Sequence, residues 1–361
     1  MENRLLRSQG CLLGLAVGDA MGYTVDKKSW EEICESYGPN GLLGYDLQND
    51  YADITSYTQL AAFAGNGLLV AATRGQSNTY SRYLSLSLRE WAKSQQFRAG
   101  AERTYCWVAQ LPSLRRRLCM DTRMLDTVSR ETLGTPEAPV NSYDSPAALT
   151  VAAAVGLFYD PERMEPAQIG RLGAEAVAML CGEEETILSG AFLAYAVAGI
   201  LQDSSHTLLE HFQQALEGVL SQFCGQFPEA TVYFSARLKA AMALTLEPDM
   251  TPLAAMTLLR CTTAPECLAG AVYASLVHCG NFDEAMISAV NHSGRSAAVG
   301  ALTGALLGAM LGVDALPDFY LESLEPLDAL RQLAEDMTQR RQIGRIFDDS
   351  WDQKYIQGLP V

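Results

Sequence analysis

Paired cysteines, basic residues and long apolar runs are all scarce in this chain. Its nine cysteines, at positions 11, 34, 106, 119, 181, 224, 261, 267 and 279, include no Cys-x-x-Cys pair. The spacings of zinc sites and thiol redox motifs are therefore missing, and most of these thiols are expected to behave as small buried hydrophobes. Of the four histidines, His206, His211 and His278 have no metal-ligand spacing. Only 26 Lys and Arg stand against 42 Asp and Glu, a net charge of −16. A surface of that sign repels DNA, RNA and anionic lipid unless a basic patch opposes it. The dense basic runs, Arg115-Arg116-Arg117 and Arg340-Arg341, carry no interleaved aromatics and read as solvated helix ends. No nucleic-acid or membrane partner is expected. The longest uncharged apolar runs, Ser189–Leu201 and Ala301–Val313, fall short of the ~20 residues that span a bilayer. The opening MENRLLRSQG lacks a signal-peptide apolar core, and the expected location is cytoplasmic. A Gly-x-Ser-x-Gly elbow, a Walker loop and a Gly-x-Gly-x-x-Gly turn after a strand are absent as well.

What is present is helical periodicity. With 361 residues, 48% of them hydrophobic, the chain can bury a large core. Length alone suggests two domains at about 100–200 residues each, but no Pro/Ser-rich linker divides it and no repeat recurs. Apolar residues recur at helical spacing, while period-two alternation is scarce. The expectation is a single all-α domain spanning 1–361. A first helix opens at Leu5 and ends near Gly22. Others run over Thr58–Thr73, Tyr80–Ala92, Ala147–Phe158, Ala167–Leu180, Thr186–Leu201, Thr207–Phe223 and Val232–Leu246. The last third continues with Pro265–His278, Phe282–Val290, Ala297–Leu311 and Leu327–Arg341. Gly38-Pro39-Asn40-Gly41, Gly134–Ser145 and Pro248-Asp249 mark loops.

Two stripes of glycine break the usual composition of a helix. Gly10, Gly14, Gly18 and Gly22 are four apart, as are Gly300, Gly304, Gly308 and Gly312. Glycine costs about 1 kcal/mol at a helix-interior position, so eight of them need a reason. Spacing by four makes a ridge without side chains, against which another backbone can lie. The two helices are expected at the centre of the bundle, close to each other.

Each glycine helix also adjoins polar groups: Gly10–Gly22 is followed by Tyr23-Thr24-Val25-Asp26, and Asn291-His292-Ser293-Gly294-Arg295-Ser296 precedes the second stripe. Together with Ile54–Leu60, Asn141–Phe158, Leu180–Leu201 and Ala264–Pro317, these segments resemble the ADP-ribosylglycohydrolase family, over all but roughly residues 75–135. The resemblance implies an all-α fold that cleaves N- or O-glycosidic bonds of ADP-ribose. It also implies two magnesium ions held by a Thr/Ser-Asp-Asp-Thr motif and an Asp-x-Asp-Ser/Thr motif. Here those motifs stand as Thr55-Ser56-Tyr57-Thr58 and Arg295-Ser296-Ala297-Ala298, without their four carboxylates. A cation at 295 would repel a divalent metal, so no metal and no cofactor is expected. The family's glutamate after the first stripe corresponds to Asp26, and a family histidine to Cys181. A ligand-approaching loop corresponds to Ser145-Pro146-Ala147.

Three readings follow. A degenerate member, a pseudoenzyme, would still bind ADP-ribose or a related nucleotide through Thr55, Ser56, Tyr57 and residues 291–296. Arg295 would take the diphosphate as a fork, the N-terminus of the second glycine helix would receive phosphate, and Tyr57 would stack on a ring. A metal-free hydrolase would use Asp26 or Asp19 as its base. A structural or partner-binding protein would have a closed cleft, with Arg295 paired to Asp19, Asp26 or Asp53. Plainer roles compete residue by residue: Asp19 as a structural hydrogen-bond acceptor, Asp26 as a surface or capping group, Ser293 or Ser296 as an N-cap, and His292 as a loop-orienting group.

Overall fold

Helix follows helix because apolar side chains recur at 3.6-residue spacing and the breaks carry capping residues. In a computed structural model, residues 2–47, 50–75, 80–96, 104, 106–118, 121–159, 164–340 and 349–360 are described. Cys119 and Arg341 lie outside them. The first part holds α1 (Glu2–Val25), α2 (Trp30–Tyr37), α3 (Ser56–Thr73), α4 (Tyr80–Ser94), α5 (Pro112–Arg115) and α6 (Thr122–Val128). The middle holds α7 (Leu149–Phe158), α8 (Pro166–Ala178), α9 (Glu184–Gln202), α10 (Leu208–Phe223) and α11 (Pro228–Leu244). Next come α12 (Pro252–Leu259), α13 (Ala264–Val277), α14 (Phe282–Val290) and α15 (Ser296–Leu311). The chain closes with α16 (Asp318–Glu322), α17 (Leu327–Gln339) and α18 (Asp349–Asp352). Among the described residues there are no strands, only the isolated bridges Ala52–Leu324 and Thr135–Ala138. The fold is all-α.

The glycine stripes decide the centre. α1 and α15 run antiparallel with Gly10 against Gly308, Gly14 against Gly304 and Gly18 against Gly300. A methyl added at any of these six would overlap a carbonyl oxygen of the facing helix. Three glycines of each stripe meet in this way, and the fourth of each does not. Gly22 faces Ser296, and Gly312 instead ends α15 at φ +86°, a turn that an L side chain disfavours. α13 and α14 pack on α15, and α3 joins α7 and α17 around α1.

No range was read in the sequence for α2, α5, α6, α12, α16 and α18, all eight residues or fewer. Too short to show a period, they are held by tertiary contacts. Helix α9, 19 residues long, is apolar enough to cross a membrane by length and composition. Its side chains are largely buried against α7, α8 and α10, which makes it a core helix. The basic runs are solvated helix ends only in part: Arg115, which closes α5, and Arg117 are exposed, while Arg116 and Arg340 are engaged. Arg116 pairs with Asp53 at 2.9 Å and Glu325 at 3.1 Å, and Arg340 donates to the Phe158 carbonyl at 2.9 Å.

Candidate functional site

The C-terminal end of α1, the start of α3 and the start of α15 meet at one place. Asp19, wholly buried in α1, aims both carboxylate oxygens at the first turn of α3. Oδ2 accepts from the Thr55 N–H at 2.8 Å, the Thr58 N–H at 3.1 Å and the Thr58 hydroxyl at 2.6 Å. Oδ1 accepts from the Thr55 hydroxyl at 2.7 Å. An anion at a helix N-terminus satisfies orphan N–H groups. Burial nonetheless pushes the Asp19 carboxyl up to about 6, against the pull of its hydrogen bonds. With four donors on its two oxygens, Asp19 is a clamp between helices.

Asp26 performs the same service for α15. Its Oδ1 accepts from the Ala297 N–H at 3.2 Å, in the first turn of that helix. Neither serine is the cap: Ser296 turns its hydroxyl to the His292 carbonyl at 3.4 Å, and Ser293 accepts from the Trp30 N–H at 2.8 Å. The helix N-terminus expected to receive a phosphate therefore already carries a carboxylate. Burial raises the Asp26 carboxyl above its ordinary range, while Arg295 and the Ala297 N–H hold it down.

Arg295 lies between α1 and α3. Its Nε is 3.8 Å from Asp26 Oδ2, and Nη2 donates to the Tyr57 hydroxyl at 3.4 Å. The Nε–H is shielded from solvent and has no hydrogen-bond partner. Tyr57 is 5% exposed, so its ring has no open face for stacking and only its hydroxyl reaches Arg295. Ser56, the first residue of α3, is half-buried beside it. The Arg295 N–H donates to the Cys261 carbonyl at 2.8 Å, which fixes where α15 begins.

The 291–294 loop spends its polar atoms on the fold. Asn291 brackets Leu42, accepting from its N–H at 2.8 Å and donating to its carbonyl at 2.9 Å. Gly41, beside it at φ +70°, has no room for a Cβ against that amide. The Gly294 carbonyl accepts from Lys27 N at 3.1 Å. His292, 2% exposed, donates from Nε2 to the Ala289 carbonyl at 3.0 Å and accepts at Nδ1 from Gly294 N at 3.0 Å. Burial pushes this imidazole down to about 4, so it is neutral at pH 7.

That shift has a sign. A folded value below the ordinary His value of about 6.5 gives stability that is present above that pH and lost as pH falls through 4. Asp19 runs the other way: raised to about 6, its contribution is present below about pH 4 and lost as pH rises through 6. His292→Gln removes only the first. Between pH 4 and pH 7 the stability advantage of the wild type over this variant should grow by about 3 kcal/mol, at 1.36 kcal/mol per pKa unit. Urea unfolding across that range measures it, and parallel curves would refute it.

Beside Asp26 opens a cavity of about 440 Å³, lined also by Tyr23, Lys28, Tyr37, Tyr45 and Asp46. That volume falls within the 300–1,000 Å³ typical of small-molecule sites. Asp53 lines it too, held by Arg116. Tyr37 donates to Asp46 at 2.7 Å, closing the loop that carries Tyr45. Sequence reading missed this wall. Gly38–Gly41 signalled only a turn, and nothing local showed that Asn291 would fasten it over the end of α1.

This junction, built on two glycine helices, coincides with a family pattern. The sequence model of ADP-ribosylglycohydrolase matches residues 1–345. The chain belongs to that family. A solved structure described as an "ADP-ribosylglycohydrolase-related protein complex" has the same fold, with a TM-score of 0.59 and 21% identity. The superposition covers 94% of this chain and 99% of the other. No curated protein matches the sequence. Within the family's fold, the positions that the resemblance assigns to metal ligands hold Ser56, Tyr57, Arg295 and Ala297.

Proposed function

We propose that this family member is degenerate: it holds ADP-ribose or a related nucleotide without a metal ion and has little or no metal-dependent glycohydrolase activity. The observation that carries the reading is the Arg295 guanidinium, its Nε–H without a hydrogen-bond partner and 3.8 Å from Asp26, which lines the 440 Å³ cavity. A loose ion pair of this kind opens to a ligand that offers two oxygens to the fork, as a diphosphate does.

Magnesium asks for several hard oxygen donors. The local set does not fit it. The Thr55 hydroxyl is committed to Asp19, burial holds the Tyr57 phenol in its protonated form, Ala297 brings a methyl, and Arg295 brings a positive charge. Among the described residues no group of three or more His, Cys, Asp or Glu is arranged to hold a metal.

Asp26 favours a second reading, a metal-free hydrolase. It lines the cavity, and burial raises its affinity for a proton, as a general base needs. Its engagement with Ala297 and Arg295 speaks for a capping role instead. The third reading, a closed cleft, accords with the Asp26–Arg295 pair but not with the open volume beside it.

Isothermal titration with ADP-ribose, once with millimolar magnesium and once with EDTA, tests the proposal. Equal binding in both is expected, together with a loss of about tenfold for Arg295→Gln, the worth of one charge-assisted hydrogen bond. Binding only with magnesium would overturn the metal-free reading. Absence of binding in both would leave a structural or partner-binding role.

A further inference from the structure

The family match ends at residue 345, and a short segment beyond it lies docked on the body of the protein. α18 runs into a wider helical turn, Gln353–Gln357, and Trp351, Lys354 and Tyr355 are each no more than 4% exposed. A lysine so deeply buried needs an anion. It has one in Asp336 of α17, itself 3% exposed, whose Oδ2 also accepts from the Tyr355 hydroxyl. The ammonium lies 5.7 Å from the Trp107 ring, 5.9 Å from Trp351 and 5.4 Å from Tyr355, within cation–π range of all three. The Trp351 indole donates to the Thr73 hydroxyl at 2.9 Å, at the end of α3, and Gln110 donates to the Gly358 carbonyl.

On the body side these contacts form a receptor: Asp336 at the base, Trp107 as a wall, Thr73 and Gln110 at the edge. Among the described residues, the one donor on Asp336 that belongs to the body is Gln332, at 3.0 Å. A buried carboxylate with that single donor is short of charge compensation, so the occupant must bring a cation. The segment docks mainly through side chains, each with its own counterpart, and among the described residues no strand pairing fastens it.

We propose that this receptor is a peptide-recognition socket for a Trp-x-x-Lys-Tyr sequence, occupied here by the chain's own C-terminal segment. It is remote from the Asp26–Arg295 junction, since it grips the far end of α3, and it stands whether or not that junction binds a nucleotide. The same segment offered as a separate chain binds the socket, and lysine is the residue that selects it.

The test begins with the full chain carrying a specific protease site between Arg340 and Asp349. After cleavage, a fluorescein-labelled synthetic peptide of residues 349–361 is added, and exchange is followed by anisotropy. The expected result is a body that keeps its circular dichroism and cooperative melt, and binds the labelled peptide saturably. Peptides carrying Lys354→Met or Trp351→Ala should bind at least tenfold more weakly. These changes sit on the peptide, so the folding of the body is not at stake. A body that unfolds on losing the segment, or never exchanges it, would show an integral piece of core and overturn the proposal. Equal binding of the Lys354→Met or a scrambled peptide would overturn it as well.

Discussion

Gly304→Val is expected to prevent the chain from folding, or to cost it about 4–5 kcal/mol or more out of a typical total of about 5–15. Overpacking a core by a methylene costs about 1–3 kcal/mol because side chains can shift. Here the obstacle is backbone. A Cβ at Gly304 overlaps the Gly14 carbonyl and meets Leu15 N at 3.2 Å, and neither can move without separating α1 from α15. Separation would open the packing between Gly10 and Gly308 and between Gly18 and Gly300 along the same seam. Gly225→Ala is the matched control. Nothing lies within 4 Å of its added methyl, so stability should stay within about 0.5 kcal/mol. Soluble yield and urea unfolding followed by circular dichroism distinguish the two. A Gly304→Val protein as stable as wild type would mean that the close approach of the helices is not required.

Asp19→Ala should destabilise the protein by about 4 kcal/mol. The change strands four donors at the start of α3, the N–H and hydroxyl groups of Thr55 and Thr58, at about 1 kcal/mol or more each. Asp19→Asn is nearly isosteric. Its carbonyl oxygen can take the place of Oδ2, which receives three of the four bonds, and its amide can donate to the Thr55 hydroxyl. A loss near 1 kcal/mol is therefore expected for Asn. The pair of variants separates clamp from catalyst. A clamp gives a large stability gap between Ala and Asn, whereas a catalytic carboxylate would lose its activity in both while the melting temperatures stayed close. Thermal and urea unfolding of the three proteins decides it.

The expectations that held share one property: the information is local and periodic. Helices α1, α3, α9 and α15 have long apolar repeats, and the all-α class follows from them. The glycine ridges were legible because an unfavourable residue repeated at a fixed interval has to be offset by something, and close backbone packing is the simplest candidate. The family resemblance rests on the same segments. The expectations that missed concern partners. A serine at the start of α15 looked like a cap, but an N-terminus accepts any well-placed oxygen, and Asp26, distant in sequence, supplies it. Tyr57 looked available for stacking until the packing of α3 buried its ring.

Period, composition and glycine spacing are properties of the chain, and from them came the helices and the closeness of α1 and α15. Pairing is a property of three-dimensional neighbours. That Asp19 clamps α3, that Asp26 caps α15 beside Arg295, that Asn291 fastens the cavity wall and that Lys354 finds Asp336 each depend on groups between 18 and 271 residues apart meeting within hydrogen-bond reach. No local pattern records such distances, because the energy that selects them is the cost of leaving a buried polar group unpaired, and it exists only once the chain has closed around it.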